Sequence, residues 1–277
     1  MTENNKRKVC LTVSIIGMIA LAVYDLCGVE GLLFGGAEEG VRYLASMATT
    51  RFLGGAIFLS ILINLGYRVL DPVKAPFWRS VAFCLPAFLV AVNNFPFSQV
   101  INGGAVIDAP VWKIALLLLE CLCIGFFEET AFRGVVLLKL VSRKPQSRVW
   151  VFWSIVLSSV IFGLIHLINL YNSSPVAVLM QIGYSALIGA MCSVVMIKTA
   201  NLWLCIILHG VFNFGGAVVQ YCGHGEIWDT FTVLLTAVIA VLVTVYLTVA
   251  FLLADLGIFD DIFGKKSVEN TDNTVNI

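Results

Sequence analysis

Long apolar stretches recur along most of the chain, and they constrain its fold more than any other feature of the sequence. A helix needs about 20 predominantly apolar residues to cross the hydrocarbon core of a bilayer. Of the 277 residues, 60% are hydrophobic and only 12% are charged, with a mean hydropathy of +0.96. Soluble domains carry about 25% charged residues. The sequence therefore predicts an integral membrane protein.

Eight such stretches predict an all-α fold, a polytopic bundle of about eight transmembrane helices. Their approximate ranges are 9–26, 52–70, 81–95, 114–140, 149–170, 176–197, 202–221 and 231–254. Residues 1–263 are predicted to form a single transmembrane domain. The polar residues 264–277 are predicted to be a disordered tail.

The distribution of basic residues predicts the orientation of the bundle. If the N-terminus is cytoplasmic, 13 of the 17 lysines and arginines flank the cytoplasmic ends of the spans. The opposite flanks hold only Arg42, Arg51 and Lys113. This positive-inside bias predicts that both termini are cytoplasmic. The basic, apolar N-terminus resembles a signal peptide, but without a convincing cleavage site it is better interpreted as a retained first span.

Charge and cysteine usage exclude several other classes of protein. The formal net charge is zero, and no basic patch with interleaved aromatic residues indicates nucleic acid as a partner. The eight cysteines are scattered through apolar segments without a CxxC pair, so we interpret them as small buried residues. They give no reason to expect disulfides or a thiolate metal site.

The fourth stretch contains charges that a membrane helix should not carry. Its segment "FFEETAFRGVV" places Glu128, Glu129 and Arg133 at bilayer depth, where an ionisable residue is a functional-site hypothesis. Glu129 and Arg133 are four residues apart and can pair on one helix face. Glu128 lies about 100° around the helix and lacks a local partner. The alternative is an ion pair that only fixes packing; Glu120, roughly 80° from Glu128, is left outside the site.

Two later stretches carry polar pairs at the same helical spacing. Phe162 and His166 are four apart in "FGLIH", and His209 and Asn213 are four apart in "HGVFN". Either pair could instead make only structural contacts between helices. His224 lies in a polar loop, where solvent exposure is expected.

Together these residues are the parts of a site that activates water. A desolvated Glu128 can act as a general base, and a histidine can orient the same water or protonate the leaving amine. His209 and Asn213 can donate hydrogen bonds to a developing oxyanion. Glu128, His166 and His209 are also a possible set of zinc ligands, with water as the fourth ligand, so ligand types alone leave zinc open.

The three motifs, EExxxR, FxxxH and HxxxN in that order, resemble those of the CPBP family. This family comprises the type II CAAX prenyl proteases and the bacteriocin-processing or bacteriocin-immunity proteins, also called Abi. The resemblance covers a core of about residues 114–216. It implies an intramembrane endopeptidase, often labelled a metalloendopeptidase, whose site opens to the cytosol.

By the family pattern, Glu128 would activate water with the assistance of His166, and His209 and Asn213 would form the oxyanion site. Glu129 and Arg133, with Phe162, would be supporting residues. The family site has also been described as independent of metal, and we favour that interpretation because two of the four groups are needed as donors. No cofactor is then expected, with zinc as the alternative.

The expected partners are the lipid bilayer and a peptide or membrane-protein substrate. The compact chain favours a bacterial member in the cell membrane, where substrates need not be prenylated. One alternative function is a non-catalytic membrane regulator or bacteriocin-immunity factor that acts by binding a partner. A proton-coupled transporter is a third, but the discontinuous-helix repeats of such proteins are absent.

Overall fold

The computed structural model describes residues 12–14, 16–21, 23, 34–70, 77–171 and 173–263, and these residues are mostly helical. The described parts of the predicted first span are helical. The tail 264–277 and parts of the first span lie outside the described residues.

The main helices follow the predicted order along the chain. In chain order the elements are α1 (Glu39–Leu65), α2 (Phe77–Asn93), α3 (Phe97–Ile101), β1 (Ala105–Ile107), α4 (Val111–Glu129), a π-helix (Thr130–Leu137), α5 (Leu138–Val141), α6 (Arg148–Leu164), a 3-10 helix (Ile165–Tyr171), α7 (Pro175–Thr199), α8 (Leu202–Cys222), β2 (Gly223–Gly225), α9 (Thr230–Leu252) and α10 (Ile258–Ile262).

Five helices in the described part of the chain are long and apolar enough to cross a membrane. They are α1, α6 with its 3-10 extension, α7, α8 and α9. This confirms a multi-pass bundle of helices, while the predicted total of eight spans and the cytoplasmic termini stay predictions. The helix α4 is outside the five because it carries Lys113, Glu120, Glu128 and Glu129. Glu128 and Glu129 are the carboxylates that the sequence analysis identified as unusual in a membrane helix.

The structure corrects the start of the second predicted stretch. Helix α1 begins at Glu39, 13 residues before the predicted boundary of 52, and ends at Leu65. Arg51 therefore lies inside a helix and not in a flanking loop. Its guanidinium lies 5.4 Å from the centroid of the Phe127 ring on α4, a cation–π distance. The aromatic ring is thus a favourable contact for a charge that the sequence placed outside the helix.

A small sheet was missed by the all-helical prediction. Strands β1 and β2 pair antiparallel, with Val106 opposite His224. The side chain of His224 is 69% exposed, as predicted for this loop. Close by, the Ser98 hydroxyl and then Thr232 donate hydrogen bonds that hold the pKa of the Asp229 carboxyl below its usual value. The sheet joins the segment before α4 to the end of α8.

Helices α4 and α8 run antiparallel and cross at glycines. The backbone N–H groups of Asp108 and Ala109 donate to the Cys222 carbonyl, which fixes the start of α4 beside the end of α8. A Cβ atom added to Gly125 would lie 2.7 Å from the Ile206 carbonyl oxygen. A Cβ on Gly210 would lie 3.1 Å from the Cα of Leu122. Small residues permit this close approach, which brings Glu129 next to His209.

The interior around this crossing is apolar. One buried cluster joins side chains of α1, α2, α5–α8 and α9, and a second cluster surrounds the sheet end of α4 and α8. Cys84, Cys121, Cys123, Cys192, Cys205 and Cys222 are buried and free. For these six, the interpretation as small buried residues is confirmed; Cys10 and Cys27 lie outside the described residues.

We predict that Gly125→Ala destabilises the bundle by about 1–3 kcal/mol, because its Cβ meets rigid backbone on α8. The matched control is Gly183→Ala on α7, where an added Cβ meets nothing within 4 Å. Thermal unfolding of the two variants in detergent micelles measures the difference. Equal melting temperatures would show that the crossing of α4 and α8 accommodates a Cβ atom at residue 125, which would contradict the prediction.

Candidate active site

The EExxxR motif lies where α4 changes into a π-helix. Glu128 and Glu129 end α4, and Thr130–Leu137 follows with the wider turn of a π-helix. The Thr130 hydroxyl donates to the Phe126 carbonyl at 2.7 Å, one of the backbone groups near the transition. π-helical turns are rare and occur frequently at functional sites.

Glu129 and Arg133 form a buried ion pair, as their spacing predicted. Nη1 of Arg133 lies 3.0 Å from Oε1 of Glu129, and the two side chains are 1% and 0% exposed. The contact has the distance of an ion pair but not the angle of a hydrogen bond. The guanidinium also lies over the Phe162 ring, with 4.5 Å from Cζ to the ring centroid. Carboxylate and ring together compensate the buried charge.

His209 bridges the two adjacent carboxylates, which the sequence did not predict. Its Nδ1 lies 2.7 Å from Oε1 of Glu129, and its Nε2 lies 3.4 Å from Oε2 of Glu128. An ionised carboxylate only accepts hydrogen bonds, so the Glu129 contact assigns a proton to Nδ1. Nε2 is then directed at Glu128, the more exposed of the two carboxylates at 21%.

The ring of Phe162 connects the two histidines. It contacts His166 with a centroid separation of 5.3 Å and His209 with one of 5.8 Å, each in an edge-on arrangement. Phe132 packs on the same ring at 4.9 Å. The two motif histidines of α8 and the 3-10 helix therefore lie against one aromatic side chain.

The hydrogen bond of His166 assigns its tautomer. Nδ1 lies 3.0 Å from the Phe162 carbonyl oxygen, which can only accept. Nδ1 therefore carries the proton, and the neutral ring has its lone pair on Nε2. His166 is half-buried, at the point where α6 tightens into the 3-10 helix.

Asn213 lies one turn beyond His209 on α8 and is half-buried. The spacing of four residues places it on the face that His209 presents to α4. The site thus contains two carboxylates, one guanidinium, two imidazoles and one carboxamide. If His209 is protonated, the formal charges of Glu128, Glu129, Arg133 and His209 sum to zero.

Whether the site residues fit a metal ion depends on the ligand atoms that their other contacts leave available. Within the described ranges, no group of three or more histidine, cysteine, aspartate or glutamate side chains is placed to hold a metal ion. Nδ1 of His209 is occupied by Glu129 and Nδ1 of His166 by a carbonyl. These bonds leave Nε2 of each ring available, so the alternative zinc set of Glu128, His166 and His209 stays a prediction, and we derive no step through a metal.

Sequence reasoning missed Tyr184 on α7. Its ring packs against Phe212, the residue before Asn213 on α8, with a centroid separation of 6.1 Å. An aromatic residue in a transmembrane stretch carries no signal that separates a site residue from one facing lipid. Glu120, which the sequence left outside the site, accepts a hydrogen bond from the Cys121 thiol at 3.4 Å.

Comparison with known proteins agrees with the motifs. Residues 110–215 match the family model described as "Type II CAAX prenyl endopeptidase Rce1-like". This range contains all three motifs and coincides closely with the predicted core of 114–216. No curated protein and no solved structure matches the chain. The match confirms the family resemblance, and because the family is one of proteases it supports a hydrolase.

We predict that Arg133→Met destabilises the fold by about 3–5 kcal/mol, because it leaves the Glu129 carboxylate buried without its guanidinium. The double variant Glu129→Gln with Arg133→Met should recover a large part of the loss. Unfolding of the purified variants in detergent measures both effects.

The control for this prediction is Lys113→Met. Lys113 pairs with Glu38 at 3.7 Å, and the Glu38 side chain is 71% exposed. Because one partner of this pair is largely exposed to solvent, removing the pair should change stability by no more than about 1 kcal/mol. If the Arg133→Met variant were as stable as Lys113→Met, the prediction that the buried Glu129–Arg133 pair stabilises the fold would be wrong.

Proposed function

We propose that this chain is an intramembrane endopeptidase that hydrolyses a peptide bond of a membrane-associated peptide or protein. The contact of His209 with both adjacent carboxylates carries the proposal. It joins the first and third motifs in one buried cluster, beside the Phe162 ring that contacts the second-motif histidine. A purely structural ion pair would need only Glu129 and Arg133.

In the proposed reaction, Glu128 is the general base. It takes a proton from a water molecule as the water oxygen attacks the carbonyl carbon of the scissile bond. Glu128 is suited to this because, unlike Glu129, it is partly exposed and its carboxylate is not paired with Arg133. His166 assists through Nε2, whose lone pair accepts the second proton of the same water in a hydrogen bond and orients it.

The oxyanion formed by this attack is stabilised from α8. The imidazolium of His209 donates Nε2–H, and the Asn213 carboxamide donates N–H, to the former carbonyl oxygen. When the tetrahedral intermediate collapses, the carbon–nitrogen bond breaks and the leaving amine takes the proton held by Glu128. The carboxylate is then regenerated, so protons balance over the cycle.

Glu129 and Arg133 act as positioning residues in this scheme. Glu129 accepts Nδ1–H of His209, which orients the ring with its Nε2 toward Glu128. Arg133 fixes the Glu129 carboxylate, and the Phe162 ring fixes Arg133 from the other side. This is the logic by which a buried carboxylate orients a histidine in other hydrolases.

The site requires a substrate that reaches it from within or beside the membrane. Glu128 and Glu129 lie 17 and 18 residues from the start of α4, so a scissile bond has to enter a bundle of apolar helices. A substrate with an apolar anchor meets this requirement by lateral access. The opening is proposed to face the cytosol, in line with the basic residues of the flanks.

We expect Glu128→Gln to lower the rate of peptide cleavage by about 100- to 10,000-fold, because the amide cannot accept the proton of water. The protein is reconstituted in lipid vesicles with two sets of substrates, C-terminally prenylated peptides and unmodified single-span peptides. Cleavage is followed by mass spectrometry.

The matched control is Glu120→Gln, which changes a second buried glutamate on the same helix, 6% exposed. It should retain most activity. Full cleavage by Glu128→Gln would refute the mechanism. Retention of the biological effect by an inactive Glu128→Gln variant would favour the alternative of a non-catalytic regulator that binds a partner.

We further expect that dialysis against EDTA or 1,10-phenanthroline leaves cleavage within about two-fold of the untreated enzyme, because the proposed steps use only side chains and water. Metal content of the dialysed protein is measured in parallel. Loss of activity with stoichiometric loss of zinc, and recovery on adding it back, would establish the metal-dependent alternative.

A further inference from the structure

Helices α6 and α7 pack closely where α6 carries Phe162. A Cβ atom added to Gly163 on α6 would lie 2.7 Å from the carbonyl oxygen of Ile182 on α7. A Cβ atom added to Gly189 on α7 would lie 3.3 Å from the Cα of Ser159 on α6. The two backbones therefore approach each other at two glycines, one on each helix. Phe162 lies between Ser159 and Gly163 in the chain, so this packing also fixes the helical turn that carries its ring.

Gly189 also faces the buried ion pair of the candidate active site. A Cβ atom at this residue would lie 3.0 Å from Nη2 of Arg133 and 3.3 Å from Cδ1 of the Phe162 ring. Both groups belong to the site, because the guanidinium pairs with Glu129 and its Cζ lies 4.5 Å from the centroid of the same ring. The missing methyl group thus leaves the guanidinium room beside α7. Gly189 belongs to none of the three motifs.

A larger side chain at residue 189 would displace the guanidinium. Optimal contacts between non-bonded carbon atoms are about 3.5–4.0 Å, so an alanine methyl group would be too close to all three of its neighbours. One neighbour, the Cα of Ser159, is backbone and moves only with α6 as a whole. The displacement therefore falls on the Phe162 ring and on the Arg133 guanidinium, which is buried between this ring and Glu129.

A displaced guanidinium disturbs the groups that are proposed to act on the substrate. Oε1 of Glu129, which lies 3.0 Å from Arg133, is also the atom that lies 2.7 Å from Nδ1 of His209. Through this shared oxygen, the position of the guanidinium affects the direction of the His209 ring. The Phe162 ring, which the same methyl group would meet, contacts both His166 and His209.

We propose that Gly189 is a positioning residue, which gives the Arg133 guanidinium the space in which it lies on the Phe162 ring and pairs with Glu129. Through Glu129, this space determines the orientation in which His209 acts. The proposal rests on the proposed function, because it assigns Gly189 a part in the same hydrolysis. The alternative is that Gly189 serves only the packing of α6 against α7, in which case the side chain of residue 133 would not matter.

The first test is Gly189→Ala in vesicles with a substrate that the wild-type protein cleaves. We expect kcat to fall about 10-fold, because a small misplacement of the supporting groups reaches the groups that react. KM should change by less than about two-fold, since residue 189 is not proposed to touch the substrate. The control is Gly183→Ala on the same helix, where an added Cβ meets none of the described residues within 4 Å. A Gly189→Ala variant with the kcat of Gly183→Ala, or one in which only KM changes, overturns the proposal.

The second test separates the space for the guanidinium from the packing of the two helices. Arg133→Lys keeps the positive charge but removes Nη2, the atom that a Cβ at residue 189 would meet at 3.0 Å. In this background, adding Gly189→Ala should lower kcat by less than about two-fold, because the two changes act through the same contact. If Gly189→Ala lowers kcat as much with lysine as with arginine at residue 133, the contact with Ser159 is the important one and the proposal is overturned.

A third measurement does not depend on cleavage. The full chain in detergent micelles, labelled with nitrogen-15 in its arginine side chains, gives resonances from eight arginines, and Arg133→Lys identifies the one from Arg133. Gly189→Ala should shift this resonance, because the guanidinium moves relative to the Phe162 ring, and should leave that of Arg148 at the start of α6 in place. An unmoved Arg133 resonance overturns the proposal. If the wild-type protein cleaves nothing but the shift is present, the proposed function fails and the contact of Gly189 with Arg133 stands.

Discussion

The Glu129 carboxylate is the group on which the rest of this site depends. It is 0% exposed, and its Oε1 contacts both the Arg133 guanidinium at 3.0 Å and the His209 imidazole at 2.7 Å. Such a carboxylate would be strongly destabilising in an apolar bundle without compensation by opposite charge. Its two partners lie on the π-helix and on α8. Compensation of this one buried charge therefore holds the π-helix and α8 together.

Close backbone approach makes these contacts possible. The crossing of α4 and α8 at Gly125 and Gly210 leaves no room for side chains, and it places the carboxylates of α4 against His209. The Phe162 ring of α6 then covers the guanidinium and contacts His166. The two glycines and the Phe162 ring thus bring residues of the three motifs together. The helices around them are largely apolar and offer these polar side chains few other partners.

Much of this could be predicted from the sequence, because membrane helices follow simple physical rules. Apolar length predicted the helices, and the spacing of four residues predicted the Glu129–Arg133 pair. These rules gave wrong helix boundaries, and missed elements, where contacts between distant segments outweigh the local composition. The charge of Arg51 indicated a helix boundary, yet α1 continues through Arg51, whose guanidinium lies over the Phe127 ring of α4. The paired strands β1 and β2 left no recognisable signal in three residues each.

The sequence by itself determined that the chain is a helical membrane protein and that Glu128 differs from Glu129, because both follow from hydropathy and from angles around one helix. Only the tertiary structure decided that His209 bridges the two carboxylates and that the Phe162 ring contacts both histidines. The contacts of His209 join residues of different helices, dozens of positions apart in the chain. Their distances depend on how the helices pack, which the periodicity of a single helix does not specify.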